Sequence, residues 1–443
     1  MDRYQYLKQV ESNARTYAAA FEQVFVSGQG VRLYDGRGHE IIDCLACAGA
    51  LPLGHNHPEV QDAVLRFLSS GHVQQALDLS TPAKFDWVRE LFSLLPTDFA
   101  QSARIQFCSP SGSDAVEAAL KLARLATQRR SIIAFDGAYH GMTQGALCAM
   151  GNLLPKSGIE QLEAGVHFAP FPNRLHCPFG SSGGESEHLS LNYLRTMLTD
   201  PESGIPKPAA VILEIVQGEG GCNPAPISWL RAVRELTLEQ RVLLIVDEVQ
   251  TGLARTGQMF AFQHADIVPD ILVLSKAIGG GYPLAVVVYH ESLDVWPRGM
   301  HAGTFRGNQI AMVAGHATMK IVQRDRLDQH ATRTGDLLAK QFKQIAKRYP
   351  VLTDVRGLGL MLGIQVASSG RRGRPCPRDG ELARNIKLAA FRNGLLLETG
   401  GRFGSVLRLI PPLILTEADV GAIADRFESG IASVLKDNVE HAN

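Results

Sequence analysis

No run of apolar residues in this chain approaches the ~20 needed to cross a bilayer as a helix. The opening MDRYQYLKQVESNAR is polar and charged where a secretory signal would carry an apolar core. Both absences lead to the expectation of a cytoplasmic protein. Net charge is lacking too: lysine plus arginine and aspartate plus glutamate stand at 44 each, which argues against nucleic acid or a charged membrane surface as partner. Cysteine is too scarce and irregular for a disulfide framework. Seven, an odd number, are scattered through 443 residues and read as reduced thiols. Cys44 and Cys47 have CxxC spacing, but no second pair exists and no helix opens at the motif, so zinc or redox use is not expected. His176, Cys177 and His188 do not make metal-ligand spacing either, and no metal is predicted. Internal repeats are absent.

What is present is a chain with 45% hydrophobic residues, 43 Gly and 22 Pro, the composition of a loop-rich globular α/β protein long enough for two domains. Its focus is Val242 to Pro283. The apolar run VLLIV ends at Asp247 and Glu248, and ILVL, Ile271 to Leu274, ends at Ser275 and Lys276. Two buried strands that each stop at an ionisable residue describe a site, because ligands of an open parallel sheet sit beyond the carboxyl ends of its strands. A carboxylate that keeps a pyridine nitrogen protonated and an amine that bonds to an aldehyde are what pyridoxal 5'-phosphate (PLP) asks of a protein. Glycines 279, 280 and 281 would let the backbone pass close to so bulky a group. On these residues alone, a solvated lysine capping its strand is an equal reading.

Elsewhere the chain punctuates itself. Apolar positions at Tyr17, Phe21, Val24 and Phe25 suit an amphipathic helix leading to a hairpin, and strands Val31 to Tyr34 and Glu40 to Asp43 flank the turn DGRGH. After Pro58 a helical pattern runs from Val60 to Leu68. Ile105 to Cys108 predicts a short strand, and Asp114 to Ala126 a helix with Ala115, Ala118, Ala119, Leu122 and Ala123 on its inner face. The turn between them, SPSGSDA, presents free amides at a helix N-terminus. There a phosphate could bind, or Ser111 or Ser113 could merely cap the helix. Ile132 to Phe135 and Val211 to Val216 are further strands, the first followed by Tyr139 and His140, the second by Gln217 and Glu219. Residues 170 to 188 read as a Pro/Gly/Ser-rich loop.

The βα alternation from about 105 to 290 implies a mostly parallel sheet with right-handed crossovers. Beyond about 330 a charged helix (Asp336 to Tyr349), strands around Leu358 to Val366, a helix near Ala383 to Arg392, the strand LRLIPPL (Leu407 to Leu413) and a helix from Glu417 predict an α+β unit. The basic loop 368 to 378 lacks interleaved aromatics and reads as solvated. The expected division is 1–60 as a segment contributing to the smaller domain and the site's mouth, 61–330 as the large domain, and 331–443 as the small one.

Taken in order, SPSGSDAVEAALKLAR, GAYHGMTQGA, EIVQGEGG, IVDEVQTGLARTG, LSKAIGGGYPL, GTFRGNQ and LRLIPPL resemble the class III (ω-amino acid) aminotransferases of PLP fold type I, over nearly the whole chain. The resemblance implies an α/β fold, a PLP cofactor bonded to Lys276, Asp247 against its ring nitrogen, Gln250 on its phenolic oxygen, Gly112 and Ser113 at its phosphate, and Tyr139 stacked on the ring with His140 beside it. It also implies that Thr304 reaches the phosphate of a neighbouring subunit, hence a homodimer with shared sites. Arg408 would bind the α-carboxylate of glutamate or 2-oxoglutarate, with Glu219 neutralising it when an ω-amino substrate brings no carboxylate there. A permanent structural ion pair is the alternative.

Within the class, CLACAGALPLGHNHP, GAYHGMTQGALCAMGN and HAGTFRGNQIAM look most like the L-2,4-diaminobutyrate:2-oxoglutarate 4-aminotransferases. These supply diaminobutyrate for siderophores, peptide natural products, compatible solutes or polyamines. Gln309 stands where the wider class has proline, as do Ile215 often and, for glycine, Cys47. Acetylornithine, ornithine or 4-aminobutyrate as amino donor is the competing reading. A PLP decarboxylase, racemase or aminomutase on the same fold, or a non-catalytic PLP protein, lies further off.

Overall fold

The computed structural model describes residues 3–159, 165–173, 175, 177–181, 184–368 and 378–440. The expectations for His176 and for most of the basic loop lie outside them. No helix among the described residues is long and apolar enough to cross a membrane, and no disulfide joins the described cysteines.

The chain opens with a helix at Arg3–Val10 and a single turn at Tyr17–Ala20, shorter than the amphipathic helix expected. An antiparallel meander follows, with strands β1 Phe25–Gln29, β2 Arg32–Asp35 and β3 Glu40–Asp43. Next come β4 Ala103–Phe107, β5 Ile132–Phe135, β6 Val166–Ala169, β7 Ala210–Leu213, the short hairpin β8 Val216–Gln217 and β9 Asn223–Pro224, then β10 Leu243–Asp247, β11 Ile271–Leu274 and β12 Val286–His290. Seven of these form one sheet in the order β4-β12-β11-β10-β7-β5-β6. Only β12 runs against the rest.

Alternate residues of these strands enter two different apolar clusters. Val211, Leu213, Leu244, Val246, Leu272 and Leu274 face one side of the sheet, and Ile212, Ile245, Ile271 and Val273 the other. Helices cover both sides, which is why the strands read as continuous apolar runs without polar alternation. Such a sheet can present polar groups only where its strands stop. The carboxyl ends of β4, β5, β7, β10 and β11 all open on one edge, and the site lies there.

The remaining strands are β13 Leu352–Leu358, β14 Met361–Val366, β15 Leu395–Leu396, β16 Glu398–Gly400 and β17 Val406–Leu409. They build a second sheet, β13-β14-β17-β16, while β15 pairs in parallel with β3 and so joins the N-terminal meander to the C-terminal part. Three expectations are corrected. The Val211 to Val216 run breaks after Leu213, so Glu214 is freed from the sheet. LRLIPPL is a strand only as far as Leu409, because Pro411 and Pro412 carry no N–H for a ladder. Within the loop expected at 170–188, a helix starts at Glu185.

Candidate active site

Asp247 is the last residue of β10 and 5% exposed. Its Oδ1 accepts the Val249 N–H at 3.0 Å and its Oδ2 lies 2.7 Å from His140 Nδ1. One oxygen held by backbone and the other by an imidazole leave the carboxylate a single orientation. His140 comes from the loop after β5 and is buried. Burial disfavours its charge, yet the hydrogen bond and charge of Asp247, with Glu214 behind, outweigh that and lift its pKa above the ordinary histidine value.

Glu214 follows β7 and was missed at the sequence level. Its carboxyl group accepts the Tyr139 N–H at 3.0 Å and the Gly218 N–H at 2.9 Å, clasping the loops after β5 and β7. Burial, reinforced by Asp247, raises its pKa to about 7.

Lys276 follows β11 in the left-handed region, φ +54°, set up by an extended Ser275 whose Oγ donates to Leu284 O at 2.8 Å. Its pKa is lowered, first by burial and then by Arg408, against the opposing pull of Glu219 and Asp247. An amine so placed gives up its proton more readily than a surface lysine. The glycines after it correct an expectation. A β-carbon at Gly280 would lie 2.6 Å from Ala314 O, and one at Gly281 2.7 Å from Leu51 Cδ2. They let the turn pack against the protein's own Gln309–Arg324 helix and the Leu51 loop, and none of the three glycines lines the cavity of Lys276.

These residues line one cavity of about 650 Å3 with Gly112, Ser113, Tyr139, Gln250 and Glu219, a size suited to a cofactor with its substrate. The Gly112–Thr127 helix points its N-terminus at the cavity. Ser111 caps it by accepting the Ser113 N–H at 3.3 Å, so capping and an open amide terminus coexist. At Gly112 a side chain would lie 2.8 Å from Val249 Cγ1 and close the wall. Gln250 is steadied by donating to Ala48 O at 3.1 Å.

Behind the lining residue Glu219, Arg408 on β17 is 1% exposed, with Nη2 2.7 Å from Glu219 Oε1. Among the described residues its Nε and Nη1 have no hydrogen-bond partner. A buried guanidinium with donors to spare is built to receive a second anion. Burial lowers its pKa, but Glu219 and Cys222 more than compensate and raise it. Three further lining residues were missed as polar groups of the site: Tyr17, whose hydroxyl burial and Glu219 push up to about 12, and the pair Lys387 and Glu398. A signal existed for two of them. Glu398 ends the apolar run Leu395 to Leu397 as Asp247 ends its own, and Lys387 sits on the apolar face of its helix.

Thr304 is exposed and does not line this cavity. One group of metal-ligand types comes together among the described residues, Cys108, Asp114 and His301. Asp114 is already engaged by the Ser109 N–H at 2.7 Å and by His301 at 3.1 Å, and burial drives the Cys108 thiol well up, away from the thiolate a metal requires.

A half-buried lysine of lowered pKa, a doubly held carboxylate and a helix N-terminus walled by glycine around one cavity fit PLP. Residues 14–431 match the sequence profile of the family described as aminotransferase class-III. The chain is 52% identical, over 94% of its length and 90% of the relative's, to a diaminobutyrate--2-oxoglutarate aminotransferase of Rhizobium meliloti (strain 1021). It is 45% identical, over 96% and 94%, to one of Haemophilus influenzae (strain ATCC 51907 / DSM 11121 / KW20 / Rd). Among solved structures, an amine transaminase from an uncultivated Pseudomonas species in its PLP-bound form superposes with a TM-score of 0.86 at 29% identity, covering 96% of this chain and 98% of that one.

Proposed function

Because the chain belongs to the class III aminotransferases and its cofactor is pyridoxal 5'-phosphate, we propose that it exchanges an amino group between L-2,4-diaminobutyrate and 2-oxoglutarate, forming L-aspartate 4-semialdehyde and L-glutamate in the forward direction and the reverse in the other. The relatives named for this reaction support the substrate pair. When bound, the cofactor supplies an aldehyde carbon to take the amino group and a pyridine ring to draw electrons from the substrate carbon.

The chain's own residues do the rest. Lys276 would hold the cofactor, and its Nζ would be the group that takes the proton from the substrate carbon and gives it back. Its lowered pKa suits that task. Asp247 keeps a proton on the ring nitrogen, and His140 keeps Asp247 in place. Tyr139 would cover the ring, Gln250 would meet the phenolic oxygen, and Gly112 and Ser113 at the helix N-terminus would hold the phosphate.

Arg408 takes the α-carboxylate of 2-oxoglutarate or glutamate, and Glu219 neutralises it while the amine donor is bound. A bare buried arginine would be costly in that half of the cycle. Thr304, exposed outside its own cavity, completes the phosphate site of a second copy in a homodimer working in the cytoplasm.

The observation that carries this reading is that Lys276 and Asp247, from the ends of neighbouring parallel strands, line one cavity with Glu219, whose carboxylate is paired to the buried Arg408. The test is a donor panel of diaminobutyrate, ornithine, acetylornithine and 4-aminobutyrate with 2-oxoglutarate, read by glutamate formation. Diaminobutyrate should give the highest kcat/KM; brisk turnover of acetylornithine with none of diaminobutyrate would overturn the substrate.

A further inference from the structure

The cavity has a second ion pair that the roles above leave unused. Lys387 Nζ lies 2.7 Å from Glu398 Oε1, with side chains 7% and 13% exposed, and both line the cavity that holds Lys276 and Glu219. As a fastener the pair is poorly justified. Lys387 sits on the packed face of the Gly380–Arg392 helix with Ala383, Ile386 and Ala390, where an apolar side chain of similar volume would serve stability as well or better. Lys387 also lies over the Phe21 ring, 5.3 Å from its centroid, yet the hydrogen-bonding capacity of the pair is not fully used. The Glu398 hydrogen bonds, from Lys387 Nζ, the Thr399 N–H at 2.7 Å and Thr399 Oγ1 at 3.2 Å, all converge on Oε1. That leaves Oε2 with no hydrogen bond among the described residues, and an ammonium has three donors.

We propose that Lys387 and Glu398 bind the α-amino acid head of the amine donor, Lys387 its carboxylate and Glu398 its ammonium, while the γ-amine is presented to the cofactor at Lys276. This rests on the proposed substrate class, a diamino acid whose reacting amine lies remote from a zwitterionic head. A neighbouring anion and cation on the protein meet a neighbouring cation and anion on the ligand, and four alternating charges satisfy one another without net charge buried.

The register places the subsite. Glu398 and Arg408 are direct partners across β16 and β17, and such partners project from the same face of a sheet. The donor's head therefore lies beside Arg408 while Glu219 occupies it. Donor and acceptor then use adjoining ion pairs of one wall, and Tyr17, whose hydroxyl feels Glu219, Arg408 and Glu398 together, sits against both. A donor with carboxylate but no α-ammonium leaves Glu398 uncompensated, which selects diaminobutyrate over 4-aminobutyrate.

The test measures binding to holoenzyme reduced with borohydride, so that no amine can react, by calorimetry with three ligands bearing a hydroxyl where the reacting amine would be. L-homoserine has the whole head, 4-hydroxybutyrate only its carboxylate, and 3-aminopropan-1-ol only its ammonium. Glu398→Gln should weaken L-homoserine and 3-aminopropan-1-ol about tenfold, the loss of one charge-assisted hydrogen bond, and spare 4-hydroxybutyrate. Lys387→Met should weaken L-homoserine and 4-hydroxybutyrate and spare 3-aminopropan-1-ol, and Lys387→Arg should restore much of the loss. Equal loss of all three ligands in either variant, or no loss, makes the pair structural and overturns the proposal, as does parent protein that does not bind L-homoserine. Steady-state turnover separates the two readings. Parent that binds L-homoserine through the pair but does not turn over diaminobutyrate sinks the proposed reaction alone; turnover with unselective variants sinks the subsite alone.

Discussion

Replacing Glu219 with Gln should split the two halves of the reaction in opposite directions. Arg408 is 1% exposed, and its closest anion is Glu219 Oε1 at 2.7 Å, while Nε and Nη1 have no hydrogen-bond partner among the described residues. Removing one partner of a fully buried ion pair costs about 3–5 kcal/mol. The Glu219 side chain is 36% exposed, so solvent screens the loss and about 1.5 kcal/mol is the fitting figure, close to tenfold in a rate or equilibrium constant. In the donor half-reaction the bared guanidinium attracts the donor's own α-carboxylate into an unproductive pose, and kcat/KM for diaminobutyrate should fall about tenfold. In the acceptor half-reaction 2-oxoglutarate no longer has to displace a carboxylate from Arg408, so its KM should fall several-fold. Stopped-flow absorbance of the bound cofactor follows each half separately. Equal slowing of both halves, or of neither, would refute the switch and leave Glu219 and Arg408 as a fixed structural pair.

Three further outcomes concern stability. Glu214 titrates at about 7 in the folded chain against an ordinary 4.5, so the stability it contributes is full below pH 4.5 and lost as pH rises through 7, roughly 3 kcal/mol in all. Thermal melts between pH 5 and 8 should show the parent losing stability relative to Glu214→Gln, and parallel curves would contradict the assignment. Arg255 is 1% exposed and donates to Leu360 O at 3.1 Å and to Pro411 O, tying the loop after β10 to the C-terminal part. Arg255→Leu leaves two buried carbonyls without this donor and should cost about 3 kcal/mol, read as a lower denaturant midpoint; an unchanged midpoint refutes it. Gly280→Ala puts a β-carbon 2.6 Å from Ala314 O at φ +60° and should cost more than ~1 kcal/mol, whereas Gly404→Ala, also at positive φ but with nothing within 4 Å, should cost less.

Asp247 and Lys276 were legible because a strand buried on both faces can tolerate a charge only at its end, so an apolar run stopped by an ionisable residue announces a site. The same rule would have found Glu398. It failed for Glu214 because Ile215 and Val216 continue the apolar run past it, and only the break after Leu213 separates it from the sheet. The reversed direction of β12 left no trace in composition, since its VVVY run is buried like its parallel neighbours. The triple glycine was legible as a close approach, but not what approached. Tyr17 and Lys387 escaped because their role depends on distant segments folding onto one wall, where a single-turn helix near the start and a lysine on an apolar helix face meet Glu219 and Glu398.

Chemical trapping tests most directly the proposed bond between Lys276 and the cofactor. Protein incubated with PLP, reduced with borohydride and digested should yield one modified peptide, its added mass on the ε-nitrogen of Lys276, and Lys276→Ala should yield none. A modification mapped to another lysine, or a Lys276→Ala protein that still transfers amino groups at the parent rate, would contradict that role for Lys276.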